Sequence, residues 1–272
     1  IHQNLTQQAT LGFEENGVTA TAKHFFGDGG TSDGDDQGNS VMLTQDVKDI
    51  HLAPYIEAIE AGVDTIMISY SSVNDMKVHG SHYWITEVLK EDLGFAGFII
   101  SDWNAIHQLP GDFENQVVLS VNAGVDMLME PYDWENTIAT ILSAVDKGFI
   151  TEERINDAVR RILQVKYERG LFADPLFQLE GDYLYNESHQ AIAREAVRKS
   201  LVLLKNENQS LPLAKTEKIY IVGSASDNVG LLCGGWTTYW QGNTASDIGV
   251  GTSILDAMSS VLSSKSGEIE QK

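Results

Sequence analysis

Short apolar runs alternate with amphipathic stretches over the first 172 residues of the chain. Four runs are rich in β-branched and other apolar residues, namely 18–26, 63–70, 95–103 and 125–129. The run at 63–70 is almost continuously apolar, which is typical of a strand buried on both faces. Between the runs, apolar positions recur at helical spacing in the stretches 44–61 and 81–93. Strands and helices that alternate in this way predict βα units around a parallel sheet.

Two further helices are predicted after the fourth run, over 134–147 and 151–169. Thr151 is placed to cap the second helix and Gly170 to end it. Four βα units fit either a small open α/β sheet or half of an eightfold βα barrel, because a whole barrel takes about 250 residues. The segment 173–187 then loses periodicity, and we predict a linker there.

A second α/β unit is predicted after the linker. Ser188 is expected to cap a helix whose inward-facing residues are Ile192, Ala196, Val197 and Leu201. A strand follows at 218–223, and another helix begins near Ser253. The sequence therefore predicts a βα domain over 1–172, a linker over 173–187 and a second α/β domain over 188–272.

Composition narrows the possible functions of the chain. The 272 residues include 39 acidic and 18 basic ones, for a formal net charge of −21. This balance argues against binding to nucleic acid or to anionic lipid, since both require clustered Lys and Arg. No apolar run is long enough for a membrane span, and the single Cys233 excludes an internal disulfide framework. The chain begins at Ile1, without a Met and without a signal-peptide pattern, so we expect it to be a segment of a longer protein.

Polar and aromatic residues follow each predicted strand. Ligands of parallel α/β folds bind at the carboxyl ends of the strands. There the sequence places Lys23, His24, Tyr70, Asp102, Trp103 and Glu130. Such a mixture suits a sugar, because polar groups bind its hydroxyls and aromatic rings stack on its apolar face. Trp240, in the Gly-rich segment after the strand at 218–223, is a further candidate sugar platform.

Asp102 is the best candidate for a catalytic residue, and several roles are open to it. It could be a nucleophile, a general base, a metal ligand or a helix cap. The acidic loop 28–36 imitates the start of a calcium loop but has Thr44 where a bidentate Glu is needed. A metal-dependent hydrolase that uses His24, Asp28 and Asp102 is a further alternative. No second His has ligand spacing, so we expect neither a metal nor any other cofactor.

Four segments together resemble glycoside hydrolase family 3, in its exo-β-glucanase and β-glucosidase branch. They are AKHFFGDGGTSDG, MISYSS, GFIISDW and CGGWTTYWQGNT, and their order and spacing match along essentially the whole chain. The resemblance implies a (β/α)8-type barrel followed by an α/β sandwich domain. This chain would hold the second half of the barrel and the start of the sandwich. It also implies release of glucose from non-reducing ends with retention of configuration.

The resemblance assigns roles to individual residues. Asp102 matches the nucleophile, and Tyr70 matches a tyrosine beneath it, which we expect to donate a hydrogen bond to the Asp102 carboxylate. Lys23 and His24 match the pair that binds sugar hydroxyls, while Trp103 and Trp240 match two aromatics that sandwich the next sugar unit. These roles imply a β-glucan or β-gluco-oligosaccharide substrate, glucose as the product, and a periplasmic or secreted enzyme. They imply no nucleic-acid partner and no insertion into a membrane.

A retaining glycosidase needs a second carboxyl group, about 5–5.5 Å from the first. The resemblance places this acid/base glutamate on a loop of the sandwich domain beyond Lys272. Glu268 and Glu270 have no matching context, and Glu130 is the competitor within the chain. A catalytically incomplete carbohydrate-binding or structural fragment is therefore the alternative to an active retaining enzyme.

Overall fold

The structure is a computed structural model that describes residues 2–175, 185–214, 218–237, 239–244, 251–262 and 268–271. Contacts divide the chain into two compact units, residues 1–178 and 179–272. The predicted linker over 173–187 lies largely outside the described residues. In the described part of the chain, none of the helices has the length and apolar character needed to cross a membrane.

The first unit is built around a parallel sheet. Its strands are β1 (Thr21–Phe25), β2 (Asn39–Ser40), β3 (Thr65–Ile68), β4 (Ser72–Val73), β5 (Met76–Lys77) and β6 (Phe98–Ile100). The main sheet has the order β1-β3-β6, and both pairings are parallel, which confirms the predicted α/β class. Thr21 pairs with Thr65, and Ile66 pairs with Ile99.

The fourth predicted strand is reduced to a single parallel bridge between Met127 and Ile100. The backbone of this segment still bonds to its neighbours, since Met127 donates its N–H to the carbonyl of Ile99 at 3.0 Å. Further along, a side chain takes the place of the backbone partner of a strand, because the Met129 N–H donates to Ser101 Oγ at 2.7 Å. The expected strand is therefore present only as an edge of irregular backbone.

A second small sheet lies in the loops that follow β1 and β3. Strand β2 pairs parallel with β4, and β4 pairs antiparallel with β5. No apolar alternation predicts these two-residue strands. They join the loop after β1 to the loop after β3, and both loops carry residues of the candidate site.

Helical segments connect the strands of the first unit. The α-helices are α1 (His2–Glu14), α2 (Thr44–Asp46), α3 (Ala53–Glu60), α4 (Phe113–Ala123), α5 (Trp134–Asp146) and α6 (Glu152–Glu168); π-helical segments span Val47–Leu52 and Tyr83–Asp92, and 3₁₀ turns span Asp28–Gly30, Ser32–Gly34, Val78–Gly80 and Ala105–Gln108. Helix α6 begins as predicted, because the Thr151 side chain accepts the N–H of Arg154 at 3.2 Å. Asp112 caps α4 in the same way.

Apolar side chains cover both faces of the main sheet. The largest fully buried ones are Phe25, Phe26, Ile66, Ile68, Ile85, Leu89, Phe95, Ile99, Ile106 and Ile150. Those of β1, β3 and β6 pack against the helices that connect the strands. Burial on two faces accounts for the continuous apolar runs in the sequence.

Charged residues tie helix α6 to the amino ends of the strands. Asp126 is completely buried and accepts hydrogen bonds from Lys90 at 2.8 Å, from Arg154 and from the Ile99 N–H at 2.8 Å. Asp157 lies within 3.7 Å of Lys90 and pairs with Arg154 at 2.6 Å. We call Lys90, Asp126, Arg154 and Asp157 the lower cluster.

The second unit contains α7 (Glu187–Ser200), β7 (Lys218–Ile221), α8 (Val229–Cys233), α9 (Ile254–Leu262) and β8 (Glu268–Gln271), with a 3₁₀ turn at Glu207–Gln209. Strand β7 pairs parallel with β8. The predicted cap at Ser188 is wrong, because Asn186 accepts the His189 N–H at 2.8 Å and Ser188 instead donates to Asn186. The predicted inward face of this helix is also wrong, since Ile192, Ala196, Val197 and Leu201 are all exposed.

Candidate active site

The carboxyl ends of β1, β3 and β6 bring four of the predicted site residues to one end of the sheet. Lys23 and His24 lie on β1, Tyr70 follows β3, and Asp102 follows β6. Adjacent strand residues normally face opposite ways. The register between β1 and β3 shifts between Ala22 and Phe25. Lys23 and His24 both line one cavity, which Asp28 also lines.

His24 lies between two carboxylates. Its Nδ1 is 3.0 Å from Oδ2 of Asp28, and its Nε2 is 3.4 Å from Oδ2 of Asp102. The His24 and Asp102 side chains retain only 20% and 18% of their accessible surface. Through its two ring nitrogens, the imidazole joins the candidate nucleophile to the acidic loop after β1.

Asp28 is anchored to the end of β3. The hydroxyl of Ser69 donates to its Oδ1, and the hydroxyl of Ser71 lies 3.4 Å from the same oxygen. Partial burial opposes ionisation of the carboxyl group. Hydrogen bonds from His24 and Ser69 outweigh that cost and hold the pKa of Asp28 below its usual range. Asp28 is therefore a carboxylate at neutral pH. Its place in the sequence indicated no role for it beyond a metal alternative.

The backbone around Asp102 holds its carboxylate in place. Oδ1 accepts the N–H of Trp103 at 2.7 Å, which leaves Oδ2 facing His24. The N–H of Asp102 itself donates to Nε2 of His79 at 3.0 Å. Burial, together with the nearby charge of Lys77, lowers the pKa of His79 to about 3, so this ring is a neutral acceptor at neutral pH.

Tyr70 lies next to Asp102 but does not donate to it. Its hydroxyl donates to the backbone carbonyl of Trp103, so the expected hydrogen bond to the Asp102 carboxylate is wrong. Burial and the negative charge of Asp102 raise the pKa of Tyr70, which keeps the hydroxyl protonated as this donor. The ring therefore fixes the turn after β6, and through that turn the position of Asp102.

An aromatic pair borders the site. The indole of Trp103 is half exposed, and its Nε1 donates to the hydroxyl of Tyr132 at 3.2 Å. The two rings meet edge to face, with centroids 5.9 Å apart. Tyr132 was not predicted, although it follows the fourth apolar run just as Trp103 follows the third. An exposed indole held by a second ring offers a flat surface for a sugar.

Trp240 belongs to the second unit. Its ring is exposed and lies 6.3 Å from that of Trp236, centroid to centroid. A backbone hydrogen bond from the Trp236 N–H to the Trp240 carbonyl, 3.1 Å long, closes the loop between them. The expected pairing of Trp240 with Trp103 stays a prediction.

Lys77 ties three loops together behind the site. Its ammonium donates to the carbonyl of Tyr70 at 2.8 Å, to the carbonyl of Gln37 at 3.1 Å and to Oε1 of Gln108 at 2.6 Å. Burial lowers the pKa of Lys77. No pattern in the sequence marks this residue, because its three partners come from different loops.

Glu130 is buried at the end of the fourth segment. One carboxyl oxygen lies 2.9 Å from Nε2 of His107, and the other has no hydrogen-bond partner among the described residues. Its role as an acid/base competitor is a prediction that this geometry leaves open. Glu268 and Glu270 lie on β8, where the side chains are outside the described residues.

The metal alternatives find no support in the described part of the chain. There, no group of three or more His, Cys, Asp or Glu side chains converges closely enough to hold a metal ion. His24 instead contacts Asp28 and Asp102 through its two ring nitrogens. The calcium-like loop contains a left-handed residue, Asp33, and closes on its own backbone through hydrogen bonds such as Asp35 N–H to Ser32 carbonyl.

Known proteins resemble this chain in both sequence and structure. Over 258 residues it is 33% identical to a lysosomal beta glucosidase of Dictyostelium discoideum, covering 89% of the chain and 31% of that protein. It is 29% identical to a periplasmic beta-glucosidase of Salmonella typhimurium, covering 93% of the chain and 35% of that protein. The chain thus spans about a third of the length of these curated relatives.

Solved structures share the fold. The exo-1,3/1,4-beta-glucanase of a Pseudoalteromonas species superposes with a TM-score of 0.86 and 42% identity, over 94% of this chain and 33% of that one. The beta-glucosidase of Listeria innocua in complex with isofagomine superposes with a TM-score of 0.82 and 25% identity, over 98% of this chain and 38% of that one. Residues 1–165 match the model of the glycosyl hydrolase family 3 N-terminal domain. This chain is a member of glycosyl hydrolase family 3.

Proposed function

We propose that this chain carries the nucleophile half of a retaining, exo-acting β-glucosidase or β-glucanase. The observation that carries the proposal is the Asp102 carboxylate, which lies at the carboxyl end of β6 with one oxygen on the Trp103 N–H and the other facing His24. It is partly exposed beside the half-exposed indole of Trp103. A carboxylate beside a ring on which a sugar can stack suits attack on an anomeric carbon, for which a retaining enzyme also needs a second carboxyl group.

The chemistry follows a double displacement. Oδ2 or Oδ1 of Asp102 attacks the anomeric carbon while a second carboxylic acid protonates the departing oxygen, and a glucosyl ester forms on Asp102. Water then attacks the same carbon, the second carboxylate takes its proton, and the ester bond to Asp102 breaks to release glucose. We assign the second carboxyl group to a glutamate of the sandwich domain beyond Lys272, with Glu130 as the competitor.

The other site residues bind the sugar in this proposal. Lys23 and His24 bind hydroxyls of the glucose unit that is released, and Tyr70 supports the turn that carries Asp102. Trp103 stacks on the next unit, and Trp240 is a further candidate platform for a sugar. Stacking recognises the face of a ring and not its linkage, which suits a substrate that mixes linkages, and one relative is named an exo-1,3/1,4-beta-glucanase.

We further propose that the chain forms the second half of a (β/α)8-type barrel, a linker and the start of an α/β sandwich domain, within a periplasmic or secreted enzyme. The parallel order β1-β3-β6 with helices between the strands supports the barrel assignment. The Salmonella relative is named periplasmic, which supports the location. A β-glucan polymer is too large to cross a membrane, which also favours a location outside the cytoplasm.

A covalent trap tests the proposal. A 2-deoxy-2-fluoro-β-glucoside with an activated leaving group should inactivate the intact enzyme and leave one fluoroglucosyl group on the peptide that contains Asp102. Mass spectrometry of the digest locates the adduct. An adduct on Glu130 would overturn the nucleophile assignment. Binding of glucose with no adduct and no turnover would favour the carbohydrate-binding alternative, and loss of turnover in excess chelator would favour the metal hydrolase.

A further inference from the structure

The polar contacts around His24 form a line that runs across three strands. It starts at Ser69 and Ser71 after β3, passes through Asp28 and His24, and ends at Asp102 after β6. We propose that Asp28 is a positioning residue, which acts through the His24 imidazole on the carboxylate that attacks the sugar. This inference rests on the proposed function, because it assumes that Asp102 is the nucleophile.

The two contacts of His24 differ in length. The contact with Asp28 is 3.0 Å long, within hydrogen-bond distance, whereas the contact with Asp102 is 3.4 Å long. The shorter contact therefore determines where the ring lies, and the longer one depends on it. A ring that rotated away from Asp28 would also move Nε2 away from Oδ2 of Asp102.

Asp28 is itself held firmly enough to serve as an anchor. Ser69 donates its hydroxyl to Asp28 and its backbone N–H to the carbonyl of Phe25, which lies next to His24 on β1. The Ser69 hydroxyl also accepts the N–H of Ser71 at 2.9 Å. The carboxylate of Asp28 is thus connected to the end of β3, and the sheet register relates that end to the end of β1.

The His24 imidazole is the side-chain group that faces Oδ2 of Asp102. The contacts of Asp102 with the N–H of Trp103 and with the His79 ring involve its Oδ1 and its backbone N–H. Those contacts hold the backbone and Oδ1. Oδ2 faces His24, so an imidazole held by Asp28 influences which way this oxygen points.

Replacement of Asp28 by Asn changes this line with little change in size. The amide oxygen can still accept from Ser69, but the amide nitrogen then faces Nδ1 of His24 as a second donor. In the intact enzyme we expect Asp28→Asn to slow formation of the fluoroglucosyl adduct on Asp102 by about 10- to 100-fold, the range that a small misplacement of a reacting group costs. Glucose binding should weaken as well, because the displaced His24 imidazole also binds hydroxyls of that sugar unit.

A double-mutant cycle shows whether Asp28 acts through His24. The same Asp28→Asn change is made in a His24→Ala background, and the rate of adduct formation is measured in all four proteins. We expect the loss caused by Asp28→Asn to disappear when His24 is absent. Asp33→Asn is the matched control, because Asp33 is an exposed aspartate of the same loop, whereas the carboxylates that His24 contacts are Asp28 and Asp102.

Each outcome decides the inference. An unchanged rate in Asp28→Asn, or an equal loss in both backgrounds, would overturn it, since a purely structural carboxylate acts whether or not His24 is present. If Asp28→Asn melts well below the parent protein, Ser69→Ala decides instead, and we expect a smaller loss that again requires His24. Failure of the parent enzyme to form an adduct on Asp102 would overturn the proposed function, and that result is distinct from the others.

Discussion

The two ends of the main sheet use the same kinds of charged residue in different ways. At the amino ends, Asp126 is completely buried and has two cations and a backbone N–H as partners. At the carboxyl ends, Asp102 keeps part of its surface open and has an imidazole and backbone groups as partners. A buried and fully paired acid offers nothing to a substrate, and its removal would leave buried cations without their partner.

The difference shows how one sheet separates stability from chemistry. Guanidinium and ammonium groups hold the lower cluster in fixed pairs, and Arg161 adds hydrogen bonds to the carbonyls of Phe95 at 2.9 Å and Gly97 at 3.0 Å. The candidate site instead relies on His24, which has two nitrogens and can hold two carboxylates at once. Sites at the carboxyl ends of strands are where parallel folds place their reactive groups.

The largest expected effect is at the carboxyl ends. Asp102→Ala in the intact enzyme should lower turnover of an aryl β-glucoside by more than about a thousandfold, or about 4 kcal/mol of activation free energy, because the covalent route is lost. Its melting temperature should stay within a few degrees of the parent, since this carboxylate contributes little to packing. Asp92→Ala, an exposed aspartate at the end of the Tyr83–Asp92 helix, is the control and should behave like the parent. Turnover of Asp102→Ala close to that of the control would contradict the assignment.

The next effect is at the amino ends. Asp126→Ala removes the fully buried carboxylate from Lys90 and Arg154, leaves them the partly exposed Asp157, and should lower the free energy of unfolding by about 3–5 kcal/mol. Urea denaturation of the intact protein measures the loss. Asp157→Ala is the matched comparison, and a smaller loss is expected because Asp157 retains 29% of its accessible surface. If Asp126→Ala abolished turnover without any loss of stability, the two ends would not divide their roles as described.

The smallest of the expected effects is a dependence of the free energy of unfolding on pH, in the acid range for the carboxyl ends and in the alkaline range for the amino ends. Burial lowers the pKa of His79 from 6.5 to about 3, with Lys77 and His24 as the charges that face it. The unfolded chain therefore binds more protons than the folded one between these values, and the free energy of unfolding falls as the pH drops from 6.5 towards 3.

Lys90 acts in the alkaline range. Burial, together with the facing Arg154 and Arg161, lowers the pKa of Lys90 from 10.5 to about 8 despite the attraction of Asp126. The free energy of unfolding should therefore rise between pH 8 and pH 10.5. Urea denaturation across both ranges tests this pair of expectations: His79→Gln should lose only the acid dependence and Lys90→Met only the alkaline one. The same pH dependence in all three proteins would show that neither group titrates as described.

Much of the first unit was predictable from local patterns. The apolar runs at 63–70 and 95–103 contain strands β3 and β6, because a strand covered on both faces needs continuous apolar residues. Thr151 caps α6 as predicted, since the capping hydrogen bond involves only the next few residues. The cap at Ser188 was misplaced by two positions, because Asn186 is an equally good capping residue and takes the role.

The candidate site was only partly predictable, because some of its residues have partners in distant loops. Lys23, His24, Tyr70, Asp102 and Trp103 were found because polar residues at strand ends converge in any parallel sheet. Asp28, Lys77, His79 and Tyr132 were missed as site residues, since each acts through partners from other loops. Nothing local distinguishes Lys77 from a solvated lysine until three loops surround it.

The sequence by itself determined the order of strands and helices, the parallel class of the sheet and the membership of the family. These follow from periodicity and from motifs, which are properties of neighbouring residues. Only the tertiary structure decided that His24 joins Asp28 to Asp102 and that Tyr70 donates to a backbone carbonyl instead of the Asp102 carboxylate. Such contacts depend on the register between strands far apart in the chain, and a shift of one residue would turn every side chain to the other face.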